Sequence, residues 1–230
     1  MLNFTPDASL LTGLTQNPMQ QVENNQWLHQ AVVPAYRELQ RAAASDGIQI
    51  RLVSGWRSFQ RQATIWQAKC DGRRPVYNLA QQPVTIADLS GVAKLEAIML
   101  YSALPGASRH HWGTDCDIYD AAAVPADYQV QLTAAEYAEN GPFYRLNNWL
   151  QLHMASYGFF RPYARYQGGI AAEPWHLSYR PLAESCLQAF SSAVLKQVLL
   201  THPIAEQQQV LAVLPTLFSK FVTNICKEQA

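Results

Sequence analysis

Apolar positions recur along this chain with two periods, and the switches between those periods outline a mixed α and β fold. Leu28, Ala31, Val32, Ala35, Tyr36, Leu39 and Ala43 fall at helical spacing, and Asp46-Gly47 closes the run. Pro34 lies inside it, so the helix either starts near that residue or kinks there. Residues 48–53 alternate and predict a strand. Ser58 has the place of an N-cap, and Phe59, Ala63 and Trp66 share one face of the helix that follows. Gln62 lies on that same face, where its carboxamide needs partners; a satisfied structural glutamine and a site residue are both open readings.

Residues 70–91 carry Gly72, Pro75, Pro83 and Gly91 with little periodicity, which predicts a long loop of the kind that often serves function. Leu95, Ile98 and Met99 predict a short helix before Pro105-Gly106. Alternation returns after Gly113: Asp115, Asp117 and Tyr119 point one way, Cys116 and Ile118 the other. Thr133 and Glu136 have capping-box spacing. Residues 142–156 predict a helix whose stripe includes Phe143, Leu146, Leu150 and His153, the last as a hydrogen-bonded core or rim histidine. Strands are expected at 157–160 and 173–179. Two apolar stripes, from Ala183 to Val198 and from Val210 to Ile225 with an interruption at Pro215, predict C-terminal packing helices. Residues 1–20 are polar and turn-rich and read as an arm on the surface. With no repeat and no linker, residues 1–230 are expected to form one domain.

Composition narrows the function classes. Lys plus Arg equals Asp plus Glu, which argues against an electrostatic nucleic-acid or acidic-membrane binder. No apolar run approaches the roughly 20 residues of a spanning helix. The start of the chain shows neither a basic nor an apolar leader segment, so the chain as written is expected in the cytoplasm, and in the periplasm if a leader has been trimmed. Cys70, Cys116, Cys186 and Cys226 form no C-x-x-C pair and read mostly as buried thiols.

The candidate chemistry sits in two fragments. Ser108-Arg109-His110-His111-Trp112-Gly113-Thr114-Asp115-Cys116-Asp117 offers a His and an Asp, and Glu173-Pro174-Trp175-His176 offers a second His with a carboxylate before it. Two neutral imidazoles and one carboxylate can hold zinc with a position left open, and a further, unliganded Glu can then take a proton. His110, Asp117 and His176 are the expected ligands, and Glu173 the expected base. On an extended strand Glu173 and His176 would face opposite ways, so a turn or bulge near Pro174 must bring both to one pocket.

Together Ser-x-His-x-x-Gly-x-x-x-Asp, Glu-x-Trp-His and the earlier Ser54-Gly55-Trp56-Arg57-Ser58 resemble the zinc D-alanyl-D-alanine carboxypeptidases and dipeptidases of the VanY and VanX type, over roughly residues 48–180. The resemblance implies an α+β fold, a small antiparallel sheet flanked by helices and shared with the hedgehog signalling domain, here with extra C-terminal helices. It implies zinc on His110, Asp117 and His176, and Glu173 as general base and then acid. It implies Arg57 as the donor to the developing oxyanion, Ser108, together with Gln62, as holders of the substrate's terminal carboxylate, and Trp175 as a pocket wall. The implied partner is a small peptide or muropeptide. Asp115 departs from the family, which commonly has a small residue there; it either orients a ligand histidine or pairs with Arg or Lys at a sheet edge. Arg109 and His111 are expected at the rim. The leading expectation is a zinc peptidase cutting next to a D-amino acid in cell-wall peptides. The alternatives are a D,D-dipeptidase or a cell-wall endopeptidase, which differ in how the far side of the cleft is closed, a place open to the loop at 70–91, or a zinc-stabilised binding module without turnover.

Overall fold

The computed structural model describes residues 5–227; residues 1–4, read above for a leader, lie outside it. Helix α1 (Ala8–Leu11) is capped by the Asp7 carboxylate, and its Leu10 and Leu11 are buried. This corrects the surface arm expected for residues 1–20: four helical residues are too few to show a period, yet they fill the core, and Leu11 C=O accepts from Trp112 Nε1 at 3.0 Å. Strands β1 (Met19–Glu23) and β2 (Gln26–His29) form an antiparallel hairpin. Leu28 therefore belongs to a strand, not to the helix its spacing suggested. Helix α2 (Val33–Ser45) begins at Val33 with Pro34 in its first turn, where the missing N–H is harmless.

Strand β3 (Ile50–Ser54) leads to α3 (Phe59–Cys70), whose N-cap Ser58 Oγ accepts from Arg61 N at 3.1 Å. The excursion over 70–91 is more structured than a loop: β4 (Val76–Tyr77) and β5 (Pro83–Val84) pair across a tight turn before α4 (Gly91–Met99). Then come β6 (Asp115–Asp120), α5 (Ala134–Tyr137), α6 (Tyr144–His153), β7 (Phe159–Phe160) and β8 (His176–Tyr179). Glu136 accepts from Thr133 N at 3.0 Å, as the capping box requires. His153 is exposed and packs on the Trp149 ring. The chain closes with α7 (Arg180–Ala189), α8 (Ser192–Thr201) and α9 (Gln207–Phe218). The stripe from Ala183 to Val198 is thus two helices, broken where Phe190 turns extended and Ser191 caps α8.

The central sheet has the order β3-β6-β8-β7, antiparallel throughout. One face, with Ile50, Leu52, Cys116, Ile118 and Leu177, is buried against Tyr36 and Leu39 of α2 and Leu146 and Leu150 of α6. A second apolar cluster joins Trp66 of α3, Leu95 and Ile98 of α4, Trp112, and the C-terminal helices through Leu195, Leu199, Leu214 and Phe218. Each such side chain contributes about 1.5–3 kcal/mol by leaving water. Ion pairs Lys94–Glu206 at 2.6 Å and Lys220–Glu96 at 2.7 Å also fasten the C-terminal helices to α4. All four cysteines are buried free thiols, and burial pushes Cys70 up to about 11 and Cys186 up to about 12. No described helix is long and apolar enough to cross a membrane.

Candidate metal centre

The other face of the sheet is polar although buried. Alternation along β6 and β8 puts Asp115, Asp117, His176 and Ser178 on it, and the register pairs Asp115 with Ser178 and Asp117 with His176. His110 comes from the 3₁₀ turn Arg109–Trp112, which ends at Gly113 in the left-handed region, φ 67°. A Cβ on Gly113 would lie 2.7 Å from His29 N and 2.4 Å from Met19 Sδ, so the β1–β2 hairpin closes over a glycine. Gly55 is similarly enforced: a Cβ there would meet Trp27 O at 2.3 Å.

These elements bring His110, Asp117 and His176 together, one donor atom from each lying within 4.8 Å of the others. His110 Nδ1 donates to Gly55 O at 2.9 Å, and His176 Nε2 donates to Asp115 Oδ1 at 2.9 Å. Those bonds fix both tautomers, leaving bare lone pairs on His110 Nε2 and His176 Nδ1. Both lone pairs face Asp117, His110 Nε2 at 3.3 Å from Oδ2 and His176 Nδ1 at 3.1 Å from Oδ1. Asp117 Oδ1 is buried and has no hydrogen-bond donor. With both imidazoles neutral, three acceptors turn toward one another and make a seat for a cation, and the N₂O donor set suits zinc. Burial raises the Asp117 carboxyl's pKa, but His110 and His176 outweigh it and hold it below the usual range. Burial likewise disfavours the His176 cation, and Asp115, Asp117 and Glu173 outweigh that, raising its pKa.

Glu173 stands beside this seat. Residues 173–175 are not strand; His176 N donates to Glu173 O at 3.1 Å, closing a turn at Pro174. That turn is what lets residues at an odd spacing share a pocket, and Glu173 Oε2 lies 3.4 Å from His176 Nδ1. Arg57 is tied to the same loop through its backbone, its N donating to His110 O at 3.1 Å and its O accepting from His111 Nδ1 at 2.6 Å. Its guanidinium donates to Gln62 Oε1 and Ser54 Oγ, both at 2.8 Å. A cavity of about 560 Å³ opens here, with Arg57, Ser108, His110, Asp117, Glu173, Trp175 and His176 on its wall.

Some expectations need correction. Gln62 is fully buried behind Arg57, off the cavity wall, and its Nε2 donates to Ala103 O at 2.7 Å. Arg109 and His111 are not rim residues. Arg109 Nε donates to Asp115 Oδ1 at 2.7 Å and Nη2 to Ser178 Oγ at 2.6 Å, all buried. His111 is wholly buried, accepts from Gly106 N at 3.0 Å, and burial lowers its pKa to about 3. Asp115 combines both contacts expected of it, to His176 and to an arginine, but on a central strand and not at an edge. Ser178 and Tyr163, whose ring meets His176 edge-on at 5.0 Å, went unnoticed in the sequence; Ser178 was legible as the second residue beyond His176 on one strand face.

Two imidazoles and a carboxylate around one cation seat, with an unliganded glutamate beside them, define a mononuclear metallohydrolase-type centre. Residues 25–182 match the family model VanY, D-alanyl-D-alanine carboxypeptidase, so the chain belongs to that family. The match starts earlier than residue 48 and takes in β2, which supports the site: Gln26 Oε1 accepts from Gly55 N at 2.9 Å. A protein of Haemophilus influenzae without assigned function is 35% identical over 121 residues, which are 52% of this chain and 92% of that one. Among solved structures, VanYB in complex with D-alanine-D-alanine is similar in fold (TM-score 0.51, 22% identity, 78% of this chain and 87% of that one). So is a vancomycin-resistance D,D-pentapeptidase VanY in complex with Zn(II) (TM-score 0.50, 22% identity, 89% and 99%). The LdcB LD-carboxypeptidase is a third (TM-score 0.50, 19% identity, 95% and 80%).

Proposed function

We propose that this chain is a zinc-dependent carboxypeptidase that releases a D-amino acid from cell-wall peptides ending in D-Ala-D-Ala. His110 Nε2, Asp117 and His176 Nδ1 hold the zinc, whose Lewis acidity polarises a carbonyl and acidifies water when it is bound. Glu173 takes the proton of the attacking water and returns it to the departing amine. Arg57 holds the carbonyl oxygen as charge grows on it. Ser108 meets the terminal carboxylate, Trp175 shapes the wall, and Gln62 acts through Arg57, by fixing its guanidinium.

The observation that carries this reading is Glu173 at 3.4 Å from His176 Nδ1 yet outside the ligand triad. A merely structural zinc site has no use for a free carboxylate there. The test is release of D-alanine from N-blocked peptides ending in D-Ala-D-Ala by zinc-loaded protein. Release that a chelator abolishes and zinc restores is the expected result. Cleavage of the free dipeptide alone would make the chain a dipeptidase, and cleavage only at internal bonds an endopeptidase. Binding without turnover would make it a binding module.

A further inference from the structure

Three cations on the cavity wall have no carboxylate partner. Arg57 bonds only to neutral groups, and neither Lys69 nor Arg74 makes an ion pair or a side-chain hydrogen bond among the described residues. Lys69 is the penultimate residue of α3, and Arg74 opens the excursion that follows, its N bonded to Ala68 O at 3.0 Å. The nearby Asp71 does not reach the cavity; it is held by Arg73 at 2.7 Å and by Gln67 at 2.8 Å. The acidic residues on the cavity wall are Asp117 and Glu173, the first facing the cation seat and the second beside it. Burial lowers the Lys69 pKa to about 8, with Arg74 and Arg57 adding to the effect and the Glu173 carboxylate, out of ion-pair contact, only partly opposing it. An ammonium half-removed from water, beside a guanidinium and with no carboxylate in ion-pair contact, stays destabilised until an anion arrives.

We propose that Lys69 and Arg74 form a carboxylate-binding subsite beside the metal centre, which makes carboxylate-bearing peptides the preferred substrates. This rests on the peptidase reading above. A compact ammonium and a planar fork on one wall suit a carboxylate, which accepts from both. Two carboxylates of a peptide can reach the wall: the one at its C terminus, or one on a side chain a residue or two away, at about 3.3–3.6 Å per residue.

The experiment compares kcat/KM for matched peptides with zinc-loaded protein. One pair differs in a free or amidated C terminus; a second pair ends freely in D-Ala-D-Ala and differs in a carboxylate or its amide on the preceding side chain. Wild type should favour the carboxylate form by about tenfold or more in at least one pair, and Lys69→Met, Arg74→Gln and their combination should erase that preference. The pair in which it is erased identifies which carboxylate sits there. Exposed Arg74 serves as the variant that folds if Lys69→Met does not, and Lys69→Arg should retain most of the preference. Undiminished preference in the folded Arg74→Gln and Lys69→Met proteins overturns the subsite. If wild type hydrolyses none of the peptides, the peptidase reading fails by itself. Calorimetric Kd values for the same pairs on wild type and variants then decide the subsite, equal Kd within each pair overturning it.

Discussion

His176 Nε2 donates to Asp115 Oδ1 at 2.9 Å, and that contact sets which nitrogen of His176 faces the metal seat. Asp115 is itself held by Arg109 at 2.7 Å, Ser178 Oγ at 3.0 Å and Thr114 Oγ1 at 2.5 Å. Burial opposes its charge, and Arg109 and His176 more than offset that, so it stays ionised. Asp115→Asn should weaken zinc affinity by roughly 10–100-fold, the range for losing a ligand-orienting carboxylate. Asp115→Ala should also destabilise the fold by about 3–5 kcal/mol, because the buried Arg109 loses its counter-ion. A competition titration against a chromophoric chelator reads the first and thermal melting the second. Unchanged zinc affinity in a folded Asp115→Asn protein would sink the orienting role.

The ligand set makes a second prediction. His110→Ala, Asp117→Ala and His176→Ala should each lose stoichiometric zinc by elemental analysis. Asp117→Asn is the more telling change. It keeps the shape but weakens the donor, and its amide can donate to His176 Nδ1, 3.1 Å from Asp117 Oδ1, where the cation belongs. Undiminished zinc in any of these proteins removes that residue from the set.

Local periodicity carried much of this site. Alternation along β6 put Asp115 and Asp117 on one face and Cys116 on the other, as they stand. The odd spacing of Glu173 and His176 demanded the turn found at Pro174. Hidden were contacts made across long sequence separation, which no period encodes. Arg109 reaches Ser178, and His111 reaches Arg57, so flanking residues that looked like rim became buried supports. The β1–β2 hairpin was missed because its strands are short and its first is half polar, while Leu28 fell by chance into the period of α2.

Glu173→Gln separates chemistry from binding. The amide keeps the side chain's shape and removes the base, so zinc and peptide should still bind with near wild-type Kd. Turnover should fall by about 10²-fold or more, the range for losing general acid–base help. Wild-type turnover in this variant would mean that another group moves the proton.

Lys69 gives a pH dependence. Its pKa is lowered to about 8, so the ammonium is complete below that value and is lost as pH rises through it. Discrimination in favour of carboxylate substrates, read as kcat/KM of the free enzyme, should therefore be full below pH 8 and fade above. Bound carboxylate favours the ammonium, so the same limb in kcat should move to higher pH. For stability the sign is opposite. An unfolded lysine keeps its proton to about 10.4, so between pH 8 and that value the unfolded chain binds more protons and the Lys69 contribution improves as pH rises. Lys69→Arg, charged throughout, should flatten the limb in discrimination; an unaltered limb would assign it to another group.

Arg57 and Gln62 form a unit in which one residue faces the cavity and the other does not. Gln62 spends Oε1 on Arg57 Nη1 at 2.8 Å and Nε2 on Ala103 O at 2.7 Å, so it bridges the guanidinium to the loop after α4. Arg57→Ala should lower kcat by about 10²-fold or more, the scale of losing an oxyanion donor. Gln62→Leu leaves Arg57 in place but frees one arm of its fork and strands the Ala103 carbonyl, which is half-buried at the cavity wall. It should lower kcat by less than Arg57→Ala while leaving KM nearly unchanged, and the two losses should not add in the double variant, because both act through one guanidinium. Gln62→Glu, which can still accept from Nη1, should recover part of the Gln62→Leu loss. A rise in KM alone on Arg57→Ala would make Arg57 a carboxylate anchor. Full additivity in the double variant would mean that Gln62 acts on the reaction by a route other than Arg57.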